Sequence, residues 1–354
     1  MNDNEKNEYG RQIADLLTEH LLINDIDTSS NTIVIKGVMF EYTTLEDMAR
    51  ALTSHGVKGS ITTRGNDVEI RVKVHSVEFA GIPLINLFLF IATVITTTLA
   101  GAIMESGEFP SSLNEIIRGV PFSATLLSIL LFHEFGHYFA SKRNNVKATL
   151  PYFIPAPPLF IIGTFGAFIK MKSPIVNKKS LMEIGASGPI AGFIVAVPAL
   201  IYGLTTSQVL ESVPGTGIHL GDSLLMMFLT NLIHPAVPEG YDIYLNSVAF
   251  AGWIGLFVTA LNLMPIGQLD GGHITYSLFG KKSEIISKWA FVPLIPLGYY
   301  SYNWILWAAL IFFFIKLKHP PVVDEVAPLK PFHRKLGYIS LGIFILTFTP
   351  VPFS

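Results

Sequence analysis

His133, Glu134 and His137 stand in the run Leu130-Leu-Phe-His-Glu-Phe-Gly-His-Tyr-Phe-Ala140. Residues four apart share a face of a helix, so His133 and His137 can offer two imidazoles to one metal ion while Glu134 points alongside, toward a water held there. A chance match to this spacing on a soluble helix would need a solvated face. Residues 125–132 and 138–140 supply none. Insertion into lipid costs about 2.5–3.5 kcal/mol for each charged side chain at a helix centre, so ionisable groups in such a stretch are read as functional. Two imidazoles leave tetrahedral zinc short of one protein ligand and an open position. Since the chain has no cysteine, that ligand must bind through nitrogen or oxygen. The candidate is Asp270 in Asn262-Leu-Met-Pro-Ile-Gly-Gln-Leu-Asp-Gly-Gly-His273. Taken alone, Asp270-Gly271 reads equally well as a turn.

Depth separates the two readings. His137 precedes Lys142 by five residues, which on a helix puts it about 7–8 Å inside the boundary that Lys142 marks. Asp270 follows an apolar segment ending on the same side, and Pro265, Gly267 and Gly271 can loosen the backbone there. Carbonyls freed by Pro265 are tolerable in lipid only where protein or water satisfies them, as around a hydrated metal cavity. His273, three residues beyond Asp270, is expected at the boundary rather than as a fourth ligand.

The elements that must carry these residues follow from composition. Half of the 354 residues are hydrophobic and 14% are charged, and residues 1–80 hold 13 of the 26 acidic and 8 of the 24 basic side chains. The chain therefore divides into a small polar domain, 1–80, and a membrane domain, 81–354. In the first, periodicity predicts helices over 9–22 and 44–54 and a strand over 32–40. A hairpin of 59–63 and 68–74 is predicted around Arg64-Gly65-Asn66-Asp67. This is a soluble α/β module with a regulatory or substrate-selecting role; His20, His55 and His75 have no metal-ligand spacing. In the second, apolar windows predict about seven spans, 82–104, 120–140, 182–204, 247–264, 286–300, 304–317 and 337–349, with 224–233 lying along the interface. Residues 141–181 carry seven Lys or Arg and no acid, whereas 205–246 carry no Lys or Arg, so the first loop is cytoplasmic. The N-terminal domain and the metal site then belong to the cytoplasmic side. With a net charge of −2 and no basic stripe, no nucleic-acid partner is expected. The first residues lack the patterns of a signal or transit peptide, so insertion relies on internal spans, and the expected location is a prokaryotic cell membrane.

His133-Glu-Phe-Gly-His137 together with Asn262-x-x-Pro265-x-x-x-Leu269-Asp270-Gly271 resembles the site-2 protease family of intramembrane zinc metalloproteases. Ser187-Gly188-Pro189 is similar to that family's small-residue-Gly-Pro element. The resemblance covers a catalytic core of about 120–273 and is to the plant, cyanobacterial and archaeal branch with a soluble N-terminal extension. It implies one Zn²⁺ per chain held by His133, His137 and Asp270, with Glu134 as the general base. It also implies hydrolysis of peptide bonds in or near transmembrane segments of membrane proteins. Asn262 would hydrogen-bond the substrate or the oxyanion, or else link helices. Gly163-Thr-Phe-Gly166-Ala-Phe-Ile-Lys-Met171 resembles a membrane-associated, re-entrant β-hairpin whose edge could pair with an extended, unwound substrate, while Pro151, Pro155, Pro157 and Pro158 forbid a regular helix before it. The competing reading of the same buried His, Glu and Asp is a transporter or channel for protons or metal ions, against which stand the clustering of these groups toward one face and the absence of an evident internal repeat.

Overall fold

The computed structural model describes residues 3–30, 32–55, 57, 59–73, 83–157, 160–212, 219–322, 324 and 328–353. Val74, His75, Ile82 and Pro158, which entered the expectations above, lie outside the described residues. The chain forms two compact units, Met1–Pro83 and Leu84–Ser354.

In the first unit, helices α1 (Asp3–Asp15) and α2 (Leu45–Ser54) accompany an antiparallel sheet of β1 (Leu21–Asp27), β2 (Thr32–Met39), β3 (Gly59–Arg64) and β4 (Asp67–Lys73), in the order β1-β2-β4-β3. Ile13 and Leu17 near α1 and Met48 and Leu52 of α2 pack with Ile33, Ile35, Val68, Ile70 and Val72 into one buried cluster. A capping box starts α2: the Thr44 hydroxyl accepts from the Asp47 N–H (3.2 Å) and Asp47 Oδ2 accepts from the Thr44 N–H (3.1 Å). The helix expected over 9–22 stops at Asp15, and Leu21–Asp27 is a strand. The helical spacing of Leu17 and Leu21 is outweighed by pairing of Leu21–Asp27 with β2, whose register shifts between Ile23 and Asp25. That irregularity breaks the alternation by which a strand is recognised.

The second unit is helical. Its elements are α3 (Leu84–Ser106), α4 (Leu113–Arg118), α5 (Val120–Arg143), the hairpin β5 (Tyr152–Pro155) with β6 (Thr164–Phe168), and α6 (Lys178–Thr206). Then come β7 (Gln208–Glu211), α7 (Leu224–Ile233), β8 (Tyr241–Tyr244), α8 (Ser247–Leu263), α9 (Asp270–Phe279), α10 (Ser283–Phe291), α11 (Leu294–Tyr300), α12 (Asn303–Leu310) and α13 (Pro331–Thr347). Among the described residues α3 and α6 are long and apolar enough to cross a membrane by length and composition; α7, α8 and residues 303–313 are shorter apolar helices. α5 has the length, but His133, Glu134, His137, Lys142 and Arg143 dilute its apolar character. The segment 286–300 is two helices, α10 and α11, with Pro293 at the junction, and 304–317 passes from α12 into one π-helical stretch, Ile311–Ile315. The hairpin also differs from its expected form. Only its second strand comes from 163–171. Its first, Tyr152–Pro155, comes from the proline-rich segment, where Pro155 pairs with Thr164 at the strand end, a position that needs no N–H.

The centre of this unit is α8, buried on nearly every face, against α5 and α6. Phe122, Leu126 and Ile129 of α5, Ala196 and Leu200 of α6, and Trp253, Leu256 and Phe257 of α8 share one cluster. α13 closes a second cluster, in which Ile343 joins Met182 and Ala186 of α6 and Ile274 of α9. These two clusters hold α5, α6, α8 and α9 around one point.

Candidate metal centre

That point is occupied by ionisable side chains. His133, Glu134 and His137 are 5%, 5% and 7% exposed. The imidazoles of α5 lie one turn apart with Nε2 atoms 3.1 Å from each other. Asp270 is the first residue of α9, where unpaired helix N–H groups and the helix dipole favour an anion. Its Oδ2 is 3.2 Å from His137 Nε2 and 3.5 Å from His133 Nε2. The three donor atoms form a triangle with sides of 3.1, 3.2 and 3.5 Å. Tetrahedral coordination with zinc bonds of about 2.0–2.1 Å requires donor separations of roughly 3.3 Å, so the set fits zinc without rearrangement. It is the group of His, Asp and Glu side chains among the described residues whose ligand atoms could hold a metal ion.

The tautomer is set as well. His137 Nδ1–H donates to the Ile184 carbonyl of α6 at 2.8 Å, which leaves the Nε2 lone pair directed at the triangle. The two rings fit against α6 because Gly188 and Gly192 face them, and Gly185 gives room to His273 beside them. A β-carbon on Gly188 would lie 2.5 Å from His137 Cε1 and closer still to Nε2, one on Gly192 would meet the His133 ring at 3.3 Å, and one on Gly185 would meet His273 at 2.9 Å. In the other direction, Gly136 of α5 lies against the Ser187 carbonyl, 2.5 Å from where a β-carbon would be. These close approaches give the Ser187-Gly188-Pro189 element its physical role.

Of the remaining expected site residues, Glu134 and Asn262 lie at the triangle, whereas Gly163 and Gly166 lie in the hairpin. Glu134 is adjacent, and the backbone of Ile169, the residue after β6, lies near its carboxylate. Asn262, at the end of α8, brings Nδ2 to 3.3 Å from His133 Nε2. Gly163, with φ 71°, turns the chain into β6 and packs on α3, where a β-carbon would be 2.5 Å from the Thr96 carbonyl oxygen. Gly166, with φ 98°, has open space beside it on β6. His273 turns away from the triangle: its Nδ1 is 2.6 Å from His319 Nε2, and the His319 ring stacks on Tyr276. Residue types alone did not reveal Ile184, because any residue supplies a carbonyl. The glycines were visible as a helical i, i+3, i+7 set at 185, 188 and 192, a pattern of close approach to a neighbouring helix.

Two imidazoles and a carboxylate converging on one buried point, with a second carboxylate beside them, define a metal centre of the kind that metallohydrolases use. Residues 121–294 match the sequence profile of peptidase family M50, the site-2 protease family of intramembrane proteases. It is 28% identical over 283 residues to the probable zinc metalloprotease EGY2, chloroplastic, of Arabidopsis thaliana, an alignment covering 78% of this chain and 48% of that protein. It is 30% identical over 241 residues to the probable zinc metalloprotease EGY1, chloroplastic, of the same plant, covering 66% and 43%. With the probable zinc metalloprotease EGY2, chloroplastic, of Oryza sativa subsp. indica it shares 29% identity over 278 residues, covering 74% and 49%. The chain spans about half the length of these curated relatives. No solved structure matches it significantly.

Proposed function

We propose that this chain is an intramembrane zinc metalloprotease that hydrolyses peptide bonds in or near transmembrane segments of membrane proteins. The observation that carries the reading is the triangle of His133 Nε2, His137 Nε2 and Asp270 Oδ2, whose sides match the edges of a tetrahedral zinc site. These three atoms would hold the ion, which when bound would make water easier to deprotonate and would polarise the scissile carbonyl. The Glu134 carboxylate takes the proton of the attacking water and delivers it to the amine nitrogen that leaves. Asn262 Nδ2, directed at the same space, donates to the substrate carbonyl oxygen. The substrate must be unwound, since a membrane helix conceals its carbonyls in internal hydrogen bonds. β6, which ends one residue before Ile169 beside Glu134, offers an edge to which an extended segment can add.

The helices of the second unit form about seven spans with the hairpin re-entrant, and the lysine-rich segment 141–181 faces the cytoplasm together with the first unit and the metal site. The first unit selects substrate or regulates access. The test is Glu134→Gln in the purified full chain, assayed with a membrane-spanning substrate in detergent or liposomes. Loss of a general base costs about 10²–10⁴-fold in rate. Cleavage falls by that factor while zinc content stays near one per chain; undiminished cleavage would refute the mechanism.

A further inference from the structure

A second buried polar cluster joins α5, α6 and α13 one residue away from the carbonyl that orients His137. Glu183 of α6 and His333 of α13 have side chains only 12% and 5% exposed. His333 Nε2–H donates to Glu183 Oε1 at 2.8 Å, and Asn144 Nδ2, at the C-terminal cap of α5, donates to Glu183 Oε2 at 2.8 Å. Asn144 is itself fixed, since Nδ2 also donates to the Ala140 carbonyl (2.9 Å) and Oδ1 accepts from the Ser180 hydroxyl (2.9 Å). A carboxylate is costly to bury and is retained only where its acceptors are filled, and here each oxygen has a donor from a different helix. By contrast, His333 Nδ1 is buried with no hydrogen-bond partner among the described residues, so it is the Nε2 bond that accounts for the ring.

We propose that Asn144, Glu183 and His333 form a positioning clamp that sets α5 and α6 in the register at which the Ile184 carbonyl meets His137 Nδ1–H. This inference rests on the metal-centre reading above. The chain geometry supports it: Glu183 and Ile184 are consecutive, so the clamp fixes the peptide next to the acceptor. His137 and Asn144 tie α5 to α6 at two points seven residues, about 10 Å, apart. A metal site tolerates ligand displacements of only about 0.2 Å, whereas two packed helices without a polar tie can slide further. α13 leaves little slack, because a β-carbon on Gly337 would be 2.7 Å from Met182 Cε. The same helix contacts α9 through the cluster of Ile343 and Ile274, so it registers the His137 side and the Asp270 side of the centre together. His333 lies outside the segment 121–294 that matches the family profile, so this contribution comes from the C-terminal helix.

The test uses the full chain loaded with Co²⁺ as a spectroscopic probe, with metal affinity read by chelator competition. His333→Ala is expected to weaken metal binding by about 10–100-fold, the range for removing a group that orients a ligand, and to shift the visible Co²⁺ bands. His333→Gln, which can present an N–H in place of Nε2–H, restores most of both. Ile345→Ala, at an exposed position of the same helix, is the control, expected to keep the wild-type bands. If His333→Ala does not fold, Asn144→Ala, which removes the tie from the α5 side, is read in the same way. Wild-type affinity and bands in a folded His333→Ala or Asn144→Ala would overturn the clamp, as would an equal loss in Ile345→Ala or a failure of His333→Gln to rescue. Failure of the wild-type chain to bind Co²⁺ at all would instead refute the metal-centre reading on which the clamp rests.

Discussion

Gly188→Ala is the perturbation for which the structure gives the largest effect from the smallest change. The added methyl would sit 2.5 Å from His137 Cε1, and nearer to two further ring atoms, against an ordinary contact of about 3.5 Å. The ring, or the whole of α6, must move by roughly 1 Å. His137 cannot rotate away freely, because its Nδ1–H is held by the Ile184 carbonyl on the same helix as the new methyl. Backing α6 away meets the second close approach, between Gly136 and the Ser187 carbonyl, only by loosening it, and carries the Ile184 carbonyl off as well. A displacement of 1 Å is about five times the tolerance of a metal site, so His137 is lost as a ligand. Removing a group that merely orients a ligand costs 10–100-fold, and losing the ligand itself costs at least the upper end, about 2.7 kcal/mol or more. The assay is zinc retained per chain during titration with a chelator of known affinity, with helicity by circular dichroism to establish folding. A folded Gly188→Ala chain that holds zinc as tightly as wild type would refute the packing argument. A comparable loss in Gly342→Ala, where a β-carbon meets nothing within 4 Å, would show that the effect is not specific to the ring contact.

Other outcomes follow from single observations. Gly163→Ala strains a left-handed backbone and pushes the start of β6 off Thr96, at a cost of about 1–3 kcal/mol, so cleavage of a membrane-spanning substrate falls while zinc affinity does not. Equal loss of both would mean that the hairpin shapes the metal centre rather than handling substrate. Thr44→Ala removes the cap of α2 and lowers stability by about 1 kcal/mol, read as faster hydrogen exchange of the α2 amides in the full chain. Hydrogen bonds from the Thr44 side chain and N–H hold the Asp47 carboxyl below its ordinary 3.8. A depressed carboxyl stabilises the fold above its unfolded value and ceases to do so as pH falls through its folded value. The difference between wild type and Thr44→Ala therefore narrows below pH 3.8. A difference independent of pH would refute the coupling.

The parts of the centre that were legible in the sequence are those whose geometry is local. His133 and His137 are four apart on one helix, and no packing is needed to bring them together. Asp270 is 133 residues beyond His137, and it became legible through the depth of both segments and the family resemblance. What the sequence could not display is backbone chemistry and exact approach. The Ile184 carbonyl has no residue-type signature, and the clearance at Gly188 is a relation between two helices. Elsewhere, β1 escaped because the register shift near Ile23 interrupts its alternation, and β5 escaped because its segment is rich in proline, which rules out a helix without ruling out an edge strand. The division of 286–300 at Pro293 shows the converse limit: a hydrophobic window records burial or lipid contact but not continuity of the helix.

X-ray absorption at the zinc edge of the purified full chain tests the central assignment most directly. Convergence of His133, His137 and Asp270 predicts one zinc per chain, a first shell of nitrogen and oxygen alone at about 2.0–2.2 Å with the scattering of two imidazoles, and a changed shell in Asp270→Ala. A chain that retains no zinc after gentle purification in zinc-containing buffer, or a spectrum identical in wild type and Asp270→Ala, would contradict it.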